Sequence, residues 1–248
     1  MTRIAIFGDV HANRPALETV VAAIADAGVD RMLCLGDIVG YHAEPAACID
    51  VLRALGVASV AGNHDLAVLG GPRGPGTAAS ALRVQDWTRR CLSADRIEWL
   101  AALPRMVYDV DFVAVHGCFL DPSSYAHGYV TATMLERNLR AVRSLGARLA
   151  FCGHTHIPMA AWLAGDVVTA AIGRGDVQWP AEADAVLVNP GSVGQPRDGD
   201  PWASFALVDT ETRTARFTRV PYDVAAAIDA IDRADLPTEL GQRLRAGR

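Results

Sequence analysis

Long apolar runs are missing from this sequence. No segment approaches the roughly 18 consecutive apolar residues of a membrane-spanning helix. The first apolar run stops at Gly8-Asp9, too early for the apolar core of a signal peptide. The five cysteines are scattered without a C-x-x-C pair, which excludes a disulfide framework and a zinc ribbon and fits a reducing compartment. We therefore expect a cytoplasmic protein with no membrane partner.

An excess of positive charge is also absent. The formal net charge is −5, which argues against nucleic acid or an anionic membrane as the main partner. An acidic protein can still bind a phosphate group if it supplies positive charge locally, as a metal centre would.

Length and composition fit one large α/β domain. A chain of 248 residues can bury a sizeable core, and no long polar linker divides it. We predict a single domain over residues 1–248, with helical insertions at 66–104 and 119–145. The Gly/Pro-rich segment 70–76 is compatible with a lid over the site and equally with a disordered connector.

The order of predicted elements indicates the fold class. Predicted strands lie at 4–7, 32–35, 57–61, 112–115 and 148–152, and predicted helices at 15–27, 45–55, 78–91, 94–103 and 131–145. Three further strands at 185–188, 204–208 and 214–219 precede a short helix at 224–231. Strands and helices alternate in the first part of the chain and consecutive strands follow, which predicts a mixed sheet or two packed sheets flanked by helices.

Five predicted strands run into residues that can ligate a metal. The motifs are Gly8-Asp9-Val10-His11-Ala12-Asn13, Gly36-Asp37, Gly62-Asn63-His64-Asp65, His116-Gly117 and Gly153-His154-Thr155-His156. In open α/β sheets, ligands bind at the carboxyl ends of strands. These motifs would therefore converge on one edge of the sheet, here called the rim. A single Asp at such a place is more often a turn residue or helix cap, and a single His is more often structural. Because all five strands end in such residues, a functional site is favoured over five unrelated structural roles.

The spacing and chemistry of these residues indicate metal ions. On an extended segment, side chains at i and i+2 point to the same side, so Asp9 with His11, and His154 with His156, would each present two ligands. The donors are nitrogen and oxygen without a thiolate, which favours Mn²⁺, Fe or Zn²⁺ and is compatible with Ni²⁺ or Co²⁺. Two divalent ions would outweigh the charges of Asp9 and Asp37 and leave positive charge for a phosphate.

In this order, D-x-H, G-D, G-N-H-D, V-H-G and G-H-T-H resemble the calcineurin-like metallophosphoesterase superfamily, over residues 8–156. The segments 36–41 and 189–200 resemble its compact bacterial and archaeal phosphodiesterase branch. The resemblance implies an α/β fold, a four-layer α/β-β/α sandwich of two mixed β-sheets flanked by helices.

The resemblance also implies a role for each matching position. One ion would be held by Asp9, His11 and His156 and the other by Asn63, His116 and His154, with Asp37 bridging the two. A hydroxide between the ions would attack phosphorus in line. His64 resembles the family's general acid for the leaving oxygen. Asp65 would either orient His64 or cap a helix.

Two departures from family patterns bear on substrate. Gly40 stands where the Ser/Thr protein phosphatases have a second Asp, and their arginine pattern after G-N-H is missing, so a protein phosphatase is not expected. His42 stands where the compact branch usually has glycine, which leaves the local substrate contacts undetermined.

Two side chains are predicted to contact substrate, Asn13 and Arg197. The planar guanidinium of Arg197 suits bidentate phosphate binding. An ion pair with Asp198 or Asp200 fits the sequence equally well.

The resemblance implies a dinuclear metal-dependent phosphoesterase, with Mn or an Fe/Mn pair favoured. Its substrate would be a small soluble phosphodiester, phosphomonoester or phosphoanhydride, nucleotide-like and with dinucleoside polyphosphates included. A nuclease-type phosphodiesterase is the first alternative, disfavoured by the acidic charge. A non-catalytic metal-binding scaffold is the second, disfavoured because His64 and all seven ligand positions are present. A homo-oligomer is compatible with the sequence.

Overall fold

Two mixed β-sheets form the centre of the computed structural model, which describes residues 2–72 and 79–248. The strands of these residues are β1 Arg3–Phe7, β2 Arg31–Cys34, β3 Ala58–Ser59, β4 Met106–Tyr108, β5 Val113–Val115, β6 Leu149–Phe151, β7 Met159–Ala164, β8 Val167–Ile172, β9 Gly175–Gln178, β10 Ala185–Asn189, β11 Ala203–Asp209 and β12 Thr214–Val220. The α-helices are α1 Arg14–Ala27, α2 Pro45–Ala54, α3 Asn63–Val68, α4 Ala79–Cys91, α5 Ala94–Ala101, α6 Leu135–Ser144, α7 Val224–Arg233 and α8 Glu239–Ala246.

Each sheet has six strands among the described residues and contains three adjacent parallel strands, at one edge of the first sheet and in the middle of the second. The first sheet has the order β3-β2-β1-β11-β12-β9, in which β1, β2 and β3 run parallel and β11 joins β1 antiparallel. The second has the order β4-β5-β6-β10-β7-β8, in which β5, β6 and β10 run parallel. The parallel strands carry the residues of the predicted rim at their carboxyl ends.

The alternation of apolar side chains along β1 explains the layering. Ala5 and Phe7 pack in one cluster with α1 and α2, whereas Ile4 and Ile6 pack in another with Phe151 of the second sheet. Because successive side chains of a strand point to opposite faces, β1 is covered by helices on one face and by the other sheet on the opposite face. A third apolar cluster joins the outer face of the second sheet to α6. The predicted four-layer α/β-β/α sandwich of two mixed sheets flanked by helices is confirmed.

The structure adds elements that the sequence pattern does not predict. Strands β4, β7, β8 and β9 and helices α3 and α8 lie in segments left without a prediction. Strand β7 is half alanine, a residue depleted in strands, and β8 is largely exposed, so neither shows the apolar alternation that indicates a strand. The predicted strand at 57–61 is reduced to the two residues of β3.

The two predicted insertions differ in their helix content. Helices α4 and α5 and the second half of α3 lie within 66–104. Within 119–145 a helix begins only at the 3-10 turn Ala132–Met134, which leads into α6. Residues 73–76 of the segment expected to form a lid or connector lie outside the described residues. Among the described residues, no helix combines the length and apolar character needed to cross a membrane.

Candidate metal centre

The predicted ligands lie together where the two sheets meet. Asp9 and Asp37 follow the parallel neighbours β1 and β2, and His116 follows β5 of the second sheet. The four remaining ligands are His11, which follows Asp9, Asn63 at the start of α3, and His154 and His156 in the turn after β6. Among these, the histidines and the two aspartates are at most 7% exposed. The expected convergence on one rim is therefore what the fold produces.

The backbone of the rim is strained. Nine non-glycine residues among those described have a positive φ, and seven of them surround the site, with φ between 49° and 67°. These seven are Asp9, His11, Ala12, Asp37, Tyr41, His154 and His156. The expectation that the D-x-H and H-T-H segments are extended is therefore wrong. Their ligands converge because of tight left-handed turns, a conformation that costs energy and is concentrated at functional sites.

One group of ligand atoms surrounds Asp9. The Oδ1 atom of Asp9 lies 3.1 Å from Nε2 of His156 and 3.9 Å from Nε2 of His11. The two imidazole nitrogens are 3.2 Å apart. The three side chains thus direct a carboxylate oxygen and two ring nitrogens at a common point, a donor set that suits a divalent transition metal.

A second group surrounds His116. Its Nε2 atom lies 3.1 Å from Nδ1 of His154, 3.2 Å from Oδ1 of Asn63 and 3.3 Å from Oδ2 of Asp37. The same Asp37 oxygen is 3.6 Å from Nε2 of His11 in the first group. Asp37 therefore has one carboxylate oxygen between the two groups.

Backbone carbonyls orient two of the imidazoles. Nδ1 of His116 lies 2.7 Å from the carbonyl oxygen of Leu35, and Nδ1 of His156 lies 2.5 Å from that of Gln195. A carbonyl oxygen can only accept, so each Nδ1 is the donor, and this bond directs each Nε2 at the cluster, where it can ligate a metal.

The buried polar atoms of this cluster test whether a metal fits. Oδ1 of Asp9 is buried and makes no hydrogen bond, although Nε2 of His156 is close by. A buried carboxylate oxygen without a partner is costly in an apoprotein and is satisfied by a cation. Burial lowers the pKa of His11 well below its usual value and that of His154 to about 3, so both rings offer neutral nitrogen. The residues present therefore fit divalent metal ions.

His64 lies beside this cluster. Its backbone N–H donates to Oδ1 of Asp37 at 2.8 Å, and its ring centroid is 4.9 Å from that of His11. The atoms of His11, Asp37 and His64 are also close enough to form a third candidate ligand group, so geometry permits His64 as a ligand as well as an acid. A Cβ atom at Gly40 would lie 2.4 Å from Nδ1 of His64, so the second aspartate of the protein phosphatases has no room here.

Asp65 contacts backbone rather than the His64 ring. Its Oδ1 accepts from the N–H groups of Ile38 and Val39, and its Oδ2 accepts from Gly62. These bonds tie the turn after Asp37 to the start of α3, as the helix-cap alternative implies. No hydrogen bond between Asp65 and the His64 ring supports the prediction that Asp65 orients it directly.

Asn13, predicted to contact substrate, is buried and hydrogen-bonded within the fold. Its Oδ1 caps α1 by accepting from Ala16 N–H, and its Nδ2 donates to the carbonyl of Gly194 and the hydroxyl of Tyr222. It is 1% exposed. All of its polar atoms are used within the fold.

Replacing Asn13 with Ala is therefore expected to reduce stability rather than substrate binding. The loss of a helix cap together with two buried partners predicts a decrease of roughly 2–3 kcal/mol in the free energy of unfolding, measured by urea denaturation. Asp223→Ala, at the exposed cap of α7, serves as a control with an expected loss of about 1 kcal/mol. A tenfold rise in KM with little loss of stability would instead restore a substrate role to Asn13.

Arg197 is free of the acidic partners considered for it. Asp198 pairs with Arg219, and Asp200 accepts from the backbone of Trp202. The guanidinium of Arg197 instead reaches the hydroxyl of Tyr41 at 3.4 Å, beside the ligand cluster.

Two residues of the G-D-I-V-G-Y-H segment were left without a predicted role. The Tyr41 ring lies 4.5 Å from that of His11 and 4.4 Å from that of His64. His42 is 1% exposed, and neither of its ring nitrogens has a hydrogen-bond partner. Burial lowers the pKa of His42 to about 3, so this ring is neutral. The feature that distinguishes Tyr41 from an ordinary packing residue is its positive φ, and this backbone angle cannot be read from the sequence.

Fold and site together define a metal-dependent hydrolase of the phosphoesterase type. An α/β-β/α sandwich carries buried carboxylates and imidazoles at the ends of strands from both sheets, with donors suited to divalent ions. The chain belongs to the calcineurin-like phosphoesterase superfamily, whose domain model matches residues 2–213. It is accordingly a metal-dependent phosphoesterase.

Individual relatives agree over the whole chain. An uncharacterized protein from Methanocaldococcus jannaschii is 32% identical over 245 residues, which is 99% of this chain and 98% of the relative. A metallophosphoesterase from Sphaerobacter thermophilus is 36% identical with a TM-score of 0.83, covering 99% of this chain and 100% of that one. A hypothetical protein from Pyrococcus horikoshii is 22% identical, with a TM-score of 0.81 over 100% of this chain and 99% of that one, and shares the fold.

Proposed function

We propose that the protein is a dinuclear phosphoesterase that hydrolyses a small phosphorylated substrate. The observation that carries the proposal is the position of Asp37 Oδ2, 3.6 Å from His11 and 3.3 Å from His116. One carboxylate oxygen between two separate ligand groups is the arrangement expected of a bridge between two ions.

The seven predicted ligands would form two metal sites. Asp9, His11 and His156 would hold one ion, and Asn63, His116 and His154 the other, with Asp37 shared. Bound divalent ions supply positive charge to the phosphoryl oxygens and lower the pKa of an attacking water. Mn²⁺ or an Fe/Mn pair suits these nitrogen and oxygen donors.

His64 would act as the general acid. Its ring centroid lies 4.9 Å from that of His11, so a substrate held over the ligand cluster would lie beside it. A proton held on His64 can be delivered to the leaving oxygen as the bond to phosphorus breaks. Burial lowers the pKa of His64, so the ring would take up this proton once an anionic substrate lies beside it.

The proposed substrate class rests on charge. The positive charge of bound ions would be confined to the buried ligand cluster, which suits a small phosphodiester, phosphomonoester or phosphoanhydride, including nucleotide-like substrates. The net charge of −5 disfavours a nucleic acid as substrate. A cytoplasmic location remains a prediction from the sequence.

Hydrolysis should depend on reloaded metal. Protein stripped of metal and reloaded with Mn²⁺ is expected to hydrolyse at least one of bis(p-nitrophenyl) phosphate, p-nitrophenyl phosphate and diadenosine tetraphosphate, with two ions bound per chain. The stripped protein should regain less than about 1% of that rate without metal, because the ions supply the nucleophile.

An Asp37→Asn variant purified in parallel controls for a contaminating phosphatase. Two bound ions with no turnover of any of the three substrates would contradict hydrolysis of these classes. One bound ion with full activity would contradict the dinuclear mechanism.

A further inference from the structure

Tyr41 is placed by a strained backbone in front of the proposed acid. A bulky residue at φ +58° is an outlier that persists only where its surroundings enforce it. The backbone of the next residue, His42, is held by hydrogen bonds to the carbonyls of His11 and Gly40. The ring of Tyr41 lies 4.4 Å from that of His64 and is half-buried.

Two arginines from distant parts of the chain converge on this ring. The guanidinium carbon of Arg197 lies 6.0 Å from the centroid of the Tyr41 ring, and that of Arg243, on α8, lies 5.4 Å from it. Both distances are within cation–π range. Both side chains are half-buried.

Among the described residues, neither arginine pairs with an acidic side chain. Within residues 2–72 and 79–248, the ion pairs closer than 4.0 Å include no Asp or Glu carboxylate on Arg197 or Arg243. Nε of Arg197 is buried without a partner, and Nε of Arg243 donates to the backbone oxygen of Arg248. In a chain with net charge −5, two guanidinium groups that share one ring and have no Asp or Glu partner among the described residues form a local positive site.

We propose that Tyr41, Arg197 and Arg243 bind a second anionic group, carried by the leaving portion of the substrate. The inference rests on the proposed function, because it takes His64 as the group that faces the leaving oxygen. Tyr41 borders His64, so the group that departs towards His64 departs towards the two arginines. Guanidinium forks bind phosphate and carboxylate through paired hydrogen bonds. The preferred substrate is thus a phosphate ester or anhydride whose leaving group itself bears a phosphate or carboxylate.

A pair of non-hydrolysable ligands isolates this second charge. Phenylphosphonate and 4-carboxyphenylphosphonate share the phosphonate that would bind the metals and differ only in the distal carboxylate. We expect the Mn²⁺-loaded protein to bind the carboxylated ligand about tenfold more tightly, as one charge-assisted hydrogen-bonded pair allows. Titration calorimetry measures both dissociation constants.

Arg243→Met should remove most of this preference. Methionine keeps the apolar contact with Tyr41 and loses the charge, so the ratio of the two dissociation constants should fall at least fivefold. Arg245→Met, at an exposed position of the same helix, should keep the wild-type ratio. Arg197→Met provides a second variant on the other side of the ring.

The outcomes separate this inference from the proposed function. Binding of both phosphonates with equal affinity, or the same ratio in the Arg243 and Arg245 variants, overturns the anionic leaving-group site and leaves the phosphoesterase proposal standing. Failure of Mn²⁺-loaded wild type to bind either phosphonate overturns both. A preference that is lost with Arg243 and kept with Arg245 supports the site.

Discussion

Asp37→Asn is expected to reduce kcat/KM by roughly 10³-fold or more, equivalent to about 4 kcal/mol of transition-state stabilisation. The substitution preserves the shape of the side chain and the Oδ1 acceptor that His64 N–H uses at 2.8 Å. It removes the negative charge and leaves an amide nitrogen, which cannot ligate, at the position between His11 and His116. Both ligand groups lose a shared oxygen, so metal content should fall from two ions towards one.

Activity and metal content must be measured on the same preparation. Elemental analysis after reloading with Mn²⁺ gives the number of ions per chain, and initial rates with p-nitrophenyl phosphate and bis(p-nitrophenyl) phosphate give kcat/KM. Asp232→Asn, an exposed aspartate on α7, controls for the substitution itself. A variant at position 37 that retains two ions and stays within tenfold of wild-type activity would show that Asp37 is not a bridge.

The second large effect is expected at His64. His64→Ala should lower kcat by roughly 10²–10⁴-fold for a substrate with an alkoxide leaving group, the range of general acid catalysis. The loss should be far smaller for a p-nitrophenyl ester, because p-nitrophenolate leaves without being protonated. Methyl phosphate and p-nitrophenyl phosphate, compared at saturating concentration, measure this difference.

Metal analysis of His64→Ala decides between its two geometric options. If His64 is the general acid, its removal should leave both ions bound. If His64 is a ligand, as the candidate group of His11, Asp37 and His64 permits, its removal should release an ion. Loss of an ion together with an equal fall in kcat for both substrates would therefore assign His64 to the metal centre.

The sequence predicted the rim well because each of its motifs ends a strand, and parallel neighbours bring such ends together. The pairing of β1 with β2, and of β5 with β6, follows from that rule. The backbone of the motifs was not predictable in the same way. Left-handed φ values at Asp9 and His154 depend on hydrogen bonds to distant segments, such as Asp9 N–H to the carbonyl of Gly36.

Two residues have surroundings that the local sequence does not reveal, for one physical reason. Asn13, next to a ligand motif and before a proline-containing helix, fits both a substrate contact and a helix cap, and its choice depends on Gly194 and Tyr222 far along the chain. Arg243 lies in a helix without a predicted role, and only the packing of α8 against the rest of the molecule brings it to Tyr41. Such pairings between distant segments carry no local signal.

The division of ligands between the sheets has a mechanical consequence. Each ligand group combines side chains that follow strands of the first sheet with histidines that follow strands of the second, as Asp9 does with His156 and Asp37 with His116. An ion held by such a group is bonded to ligands from both sheets. It would therefore fix the position of one sheet relative to the other at this end of the sandwich. The two sheets could not move relative to each other without breaking bonds between ligands and metal. The ions that perform the chemistry would thus also limit the relative displacement of the two sheets.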